Sequence, residues 1–188
     1  MGMTALFIDG AYLDKVRERT APGVSLEYSR LAQVLVEPDE MLRTYYYHCL
    51  PWMSDEPDVG ESERFARSRR FLTALSFQPR FEVRLGRLAR RGIDSTGRPI
   101  FVQKRVDTMI GVDMALLASK GRVGRIALLS GDSDYLPAIE AVKREGVLTV
   151  LWHGRVGSRV GPSRELFEIC DDRRELTREL LAQVARQP

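Results

Sequence analysis

The residues best suited to chemistry in this chain are aspartates at the ends of apolar runs. The stretch LLSGDSDY, Leu128 to Tyr135, carries Asp132 and Asp134 one residue apart, directly after a buried-strand pattern. One acid is enough to cap a following helix, so the second needs another reason. Asp9 closes the first apolar run in FIDG, and Asp107 opens a helical stretch after IFVQ. At about 100° per residue Asp107 shares a helix face with Ile110, Gly111, Met114 and Ala118, which aligns an acid with a core stripe. Asp113 falls beside that stripe, about 9 Å further along the axis, and is expected as a supporting shell or weaker ligand.

Each acid alone has a plain explanation as a helix cap or turn former. Together they conflict, because two carboxylates about 4 Å apart repel by about 4 kcal/mol at an effective dielectric near 20. A divalent cation resolves the conflict if Asp9, Asp107, Asp132 and Asp134 converge. The donors are all oxygen, with no His or Cys at ligand spacing, a set that suits Mg²⁺ or Mn²⁺ better than zinc. The corresponding chemistry is in-line attack of an activated water on a phosphate. His48 and His153 lie near strand ends and are expected to be structural or solvent-exposed.

The elements that must position these acids alternate in type. ALFI reads as a buried parallel strand, and helices follow over about Ala11–Arg19 and Glu27–Val36. LRTYYYHCL is aromatic and β-favouring, so it reads as the second strand. A helix over about Glu61–Leu75, the strand FEVRLGRL, an exposed loop or hairpin tip ARRGIDSTGRP, and the short strand IFVQ come next. A helix over about Val106–Ser119 ends at Lys120-Gly121, a basic last turn and a C-cap glycine. RIALLS, a helix over about Asp134–Arg144, and LTVLW complete the alternation. The expected fold is α/β, a Rossmann-like, mainly parallel sheet with helices on both faces. Residues 1–171 are expected to form one domain and residues 172–188 a C-terminal helical tail. That tail, with Leu176, Leu180, Leu181 and Val184, docks on its own domain or on a second subunit as a homodimer.

The chain has 188 residues and a net charge of +3, but its charge is uneven. From Arg64 to Arg105 twelve basic side chains face only Glu82 and Asp94, so this segment is about +10 and the remainder about −7. Such a basic segment is the footprint of a polyanion partner. Arg69, Arg70, Arg87, Arg90, Arg91, Lys104 and Arg105 are the candidate contacts, with Tyr12 as a further substrate-side residue. No apolar run reaches the length of a membrane span, and the opening MGMTALFIDG lacks a basic n-region, so a cytoplasmic protein is expected. Cys49 and Cys170 have no metal-ligand spacing.

FIDG, KRVDTMIGVDMALLA and above all LLSGDSDYLPAIEAVKREGVLTVLW resemble the NYN domain, in the LabA-like branch of the PIN-like ribonucleases. The resemblance covers most of residues 3 to 171, with GPSRELFEICD similar to the family's closing segment. It implies a Rossmann-like sheet and an acidic cluster binding Mg²⁺ or Mn²⁺ that hydrolyses phosphodiester bonds, usually in RNA. Asp9, Asp107, Asp132 and Asp134 match its acidic positions, and Asp113 a frequent further one. Where the family commonly has Asn, three residues after its first Asp, this chain has Tyr12. Glu61 or Glu63 could supply another acid found on an earlier helix.

Other phosphate chemistries fit poorly. A haloacid-dehalogenase-like phosphatase needs Asp at position 11, which is Ala, and a dinucleotide site wants a glycine-rich first turn, which DGAYLD is not. The reading is a metal-dependent ribonuclease, with single-stranded RNA favoured and DNA a second candidate. Its rival is a catalytically weak RNA-binding or regulatory module on the same fold.

Overall fold

The five residues Ala5–Ile8 and Gly10 around Asp9 are buried, and everything else is arranged about the strand they define, β1 (Met3–Asp9). In this computed structural model, residues 2–93 and 99–187 are described. Part of the ARRGIDSTGRP segment, residues 94–98, lies outside them. Successive side chains of β1 enter opposite layers: Leu6 and Ile8 join one core cluster, Ala5 and Phe7 the other. A strand apolar on both faces must be covered twice, as parallel α/β sheets are.

The chain continues through α1 (Gly10–Thr20), α2 (Tyr28–Val36), β2 (Glu40–Cys49), α3 (Val59–Ser76), β3 (Phe81–Ile93) and β4 (Pro99–Lys104). Then come α4 (Val106–Ser119), β5 (Arg125–Leu129), a short 3-10 turn over Ser133–Tyr135, α5 (Leu136–Arg144) and β6 (Leu148–His153). The last elements are α6 (Arg164–Ile169), β7 (Asp172–Glu175) and α7 (Arg178–Gln183). The seven strands run in the order β4-β3-β2-β1-β5-β6-β7, all neighbours parallel except the antiparallel pair β3 and β4. Helices α1, α2, α3 and α7 supply one layer through Leu13, Leu31, Leu72 and Leu181. Helices α4, α5 and α6 supply the other through Ile110, Ile139 and Leu166.

Two segments differ from the sequence reading. Strand β3 does not stop at Leu88; it runs to Ile93 and ladders against β4, with Arg87 opposite Lys104 and Arg90 opposite Phe101. Residues 172–188 are more than a helical tail. Asp172–Glu175 extends the sheet beside β6, Leu176, Leu181 and Val184 are fully buried in the first core layer, and Leu26 bridges Ala185. The C-terminal segment thus docks on its own chain. No helix among the described residues is long and apolar enough to cross a membrane.

Strand order reverses around β1: the chain passes from β1 to β2 on one side and returns to β5 on the other. The carboxyl ends of β1 and β5 therefore flank the crevice where open α/β sheets bind ligands.

Candidate active site

Asp9 ends β1 at this crevice and caps α1, its Oδ1 accepting the Tyr12 backbone N–H at 3.1 Å. The backbone can turn there because Gly10 has no Cβ; one would lie 2.6 Å from both the Tyr46 hydroxyl and the His48 ring. Asp107 arrives from the other layer, in the first turn of α4, on the face that carries buried Ile110, Met114 and Ala118. Its helix starts hard against β3, where a Cβ on Gly86 would strike Val106 Cγ2 at 2.6 Å and the Lys104 carbonyl at 2.8 Å. Arg105, just before the helix, takes a left-handed conformation at φ 77°, and its side chain does not cap α4.

The two carboxylates sense each other. Burial raises the Asp9 carboxyl pKa above the usual range, and the Asp107 charge adds to the rise; the Tyr12 and Ala11 N–H groups and Lys15 oppose it. Tyr135, itself buried, donates its hydroxyl to Asp107 Oδ1 at 2.8 Å. Its phenol is held far from ionisation by burial and by the charges of Asp9 and Asp107. Ser130, just after β5, has a buried side chain whose hydroxyl lies by that of Tyr135.

The other acids behave differently. Asp132, not Asp134, caps the turn after β5, accepting the Asp134 N–H at 3.1 Å, and both side chains belong to exposed residues. Asp113 is committed elsewhere. Its Oδ2 accepts the Tyr47 hydroxyl at 2.6 Å and its Oδ1 the Arg84 guanidinium at 2.8 Å, so its charge is already compensated. Glu61 accepts the Ser54 hydroxyl at 2.6 Å and locks the loop before α3. Among the described residues no three His, Cys, Asp or Glu side chains form a group able to hold a metal. Asp9 and Asp107 are near enough for their charges to interact, and Asp132 and Asp134 lie on the loop that leads to Tyr135.

The basic candidates are all exposed: Arg69 and Arg70 on α3, and Arg87, Arg90, Arg91, Lys104 and Arg105 on or beside the β3–β4 ladder. Arg87 facing Lys104 across the ladder is a like-charge pair, destabilising by itself and relieved by an anion. Tyr12, expected on the substrate side, has its hydroxyl engaged twice. Its hydroxyl donates to the Val160 carbonyl at 2.7 Å and accepts the Gly154 N–H at 3.0 Å, which makes it a strut.

With this arrangement in view, comparison with known families gives a match to the NYN domain over residues 3–176, nearly the whole chain. The chain belongs to the NYN domain family. With it comes membership of the PIN-like nuclease superfamily. A solved structure of a Vibrio parahaemolyticus protein of unknown function has the same fold, with a TM-score of 0.63, 21% identity and 93% of each chain covered. A comparison with curated proteins found no match.

In this NYN domain the residues that would suit a hard divalent cation are Asp9 and Asp107. Mg²⁺ keeps several waters and commonly takes only one or two protein carboxylates. Asp9 and Asp107 supply two whose mutual repulsion a cation would relieve. Sequence reasoning missed Tyr135 and Ser130 as parts of this setting.

Proposed function

We propose that this NYN domain is a divalent-metal-dependent ribonuclease that hydrolyses phosphodiester bonds, with single-stranded RNA its preferred substrate. The observation that carries the reading is the placing of Asp9 at the end of β1 and of Asp107, held by the Tyr135 hydroxyl from the turn after β5, at the one crevice. Asp9 and Asp107 would hold Mg²⁺ or Mn²⁺. The ion, when bound, supplies charge neutralisation at the phosphate and lowers the pKa of an attacking water. Asp132 and Asp134 stand beside the pair, exposed to incoming water. Tyr135 keeps Asp107 aimed, and the buried floor of β1 and β5 lowers the local dielectric, which strengthens each interaction with the phosphate.

The ladder of β3 and β4, with Arg87, Arg90, Arg91 and Lys104, together with Arg105, would track the phosphate backbone. DNA presents the same charge and is the competing substrate. The testing experiment is cleavage of end-labelled RNA and DNA in Mn²⁺, Mg²⁺ or EDTA, beside Asp9→Asn and Asp132→Asn. One observation favours a second reading: among the described residues no three His, Cys, Asp or Glu side chains group closely enough to hold a metal, which suits a regulatory RNA-binding module that retains the fold. That module would bind RNA equally well in EDTA and cleave nothing.

A further inference from the structure

The segment Gly154–Pro162, which leaves β6 at the carboxyl edge of the sheet, is tied down at both ends beside the acids. Tyr12, three residues after Asp9, grips it twice through the Val160 carbonyl and the Gly154 N–H. Ser163, just after it, donates its N–H to the Gly131 carbonyl at 2.8 Å, next to Asp132. The contacts are close enough to exclude side chains. A Cβ on Gly131 would lie 2.6 Å from the Tyr12 ring, and one on Gly154 would lie 2.4 Å from the Val160 carbonyl. Within the loop, Ser158 Oγ accepts the Val160 N–H and donates to the Arg155 carbonyl. What this bracing holds out to solvent is Arg155 and Arg159, with Val156 55% exposed between them.

From this geometry we infer that Arg155 and Arg159 bind the phosphates of a single-stranded nucleic acid on the β6 side of the acids, and that Tyr12 is the positioning residue that fixes their loop. The inference rests on the ribonuclease reading for the choice of polyanion, but it concerns binding and not hydrolysis. Without the strut, a glycine-rich loop would have to be ordered each time it met the backbone, and that entropy would be lost from affinity. With it, two guanidinium forks are set before the substrate arrives. The β3–β4 ladder lies on the far side of β1 in the strand order, so the two basic elements flank the acidic pair.

The test is equilibrium binding of fluorescein-labelled oligouridylate in EDTA, followed by anisotropy across a salt series, which separates binding from cleavage. Arg155→Ala/Arg159→Ala is expected to weaken binding and to flatten the slope of log K against log salt by about 1.4, two contacts at about 0.7 each. Tyr12→Phe, which keeps the ring and removes the hydroxyl, is expected to weaken binding in the wild-type background. It should add nothing in the double-arginine background, and amide exchange at Gly154 should quicken. An unchanged salt slope in the double-arginine variant, or a Tyr12→Phe effect of equal size in both backgrounds, would overturn the inference. So would absence of measurable binding by the wild-type chain.

Discussion

Tyr135 and Asp107 are joined by a 2.8 Å hydrogen bond across the crevice, from the phenol on the turn after β5 to a carboxylate on α4. The bond links the start of α4 to the turn that follows β5. Tyr135→Phe keeps the buried ring and frees the carboxylate. It is expected to cost about 1.5–3 kcal/mol of stability, because the bond has a charged acceptor. Loss of the partner that orients a ligand is expected to reduce cleavage by about 10- to 100-fold. Denaturant unfolding beside a cleavage assay checks both, and unchanged activity would remove Tyr135 from the site.

Asp9 places function against stability. Its raised pKa, caused by burial and then by Asp107, means that the folded protein holds the proton more tightly than the unfolded chain does. Its contribution to stability is therefore greatest below the ordinary carboxyl range and is lost as pH rises through the folded pKa. Asp9→Asn removes the charge and keeps a competent helix cap. The variant is expected to melt higher than wild type at pH 7, with the gain disappearing below the ordinary carboxyl range, while cleavage is lost. A lower melting temperature at pH 7 would contradict the account of Asp9.

Metal binding should be visible without any substrate. An ion that binds only the folded state stabilises it by about 2.7 kcal/mol at a hundredfold excess over Kd. For a chain of this size that is a rise of roughly 5–10 °C in Tm. Mn²⁺ is expected to raise the wild-type midpoint in differential scanning fluorimetry and to leave Asp9→Asn unmoved. Equal shifts in the two proteins would place the ion elsewhere.

Lys104→Glu makes a different demand on the ladder of β3 and β4. Opposite Arg87 it replaces a like-charge pair with an attractive one, worth roughly 0.2–1 kcal/mol. The variant is expected to be slightly more stable and to bind RNA more weakly, with a flatter salt dependence. If binding instead tightened or stayed level, the ladder would not contact phosphates.

His48, whose ring packs against Gly10 and senses the Asp9 charge, offers a second pH test. Burial works against its charged form, but hydrogen bonds to Asp14 and the Cys49 carbonyl outweigh burial and raise its pKa. The stabilisation is present in full below the unfolded value and is lost as pH rises through the folded pKa. His48→Gln is thus expected to lower Tm more at pH 5.5 than at pH 8.5. An NMR titration of the ring that gave a lowered pKa would refute this.

The parts of this molecule legible in sequence were those dictated by local periodicity and burial. The stripe Ile110, Met114 and Ala118 announced which way α4 faces, and the continuous run ALFI announced a strand covered twice. What stayed hidden depends on distant partners or on backbone pairing alone. Asp172–Glu175 reads DRRE, with no apolar alternation, and is a strand only because β6 offers it a ladder. The arginines of ARRGI read as a loop for the same reason, since their pairing with β4 is not encoded in their polarity. Asp113 finds its partner Arg84 on β3, and Tyr12 finds Val160 at the other end of the chain; neither spacing carries a signal. The adjacency of Asp9 and Asp107 likewise follows from strand order, which brings the two layers together only at the carboxyl edge.

The most direct measurement is cleavage of end-labelled single-stranded RNA by the purified chain in Mn²⁺, with EDTA and Asp9→Asn as parallel reactions. The account requires cleavage with the metal, none in EDTA, and none with Asp9→Asn under conditions where that variant is folded and still binds the RNA. Cleavage that persists in Asp9→Asn, or RNA bound by the wild type and left intact with Mn²⁺ present, would contradict it.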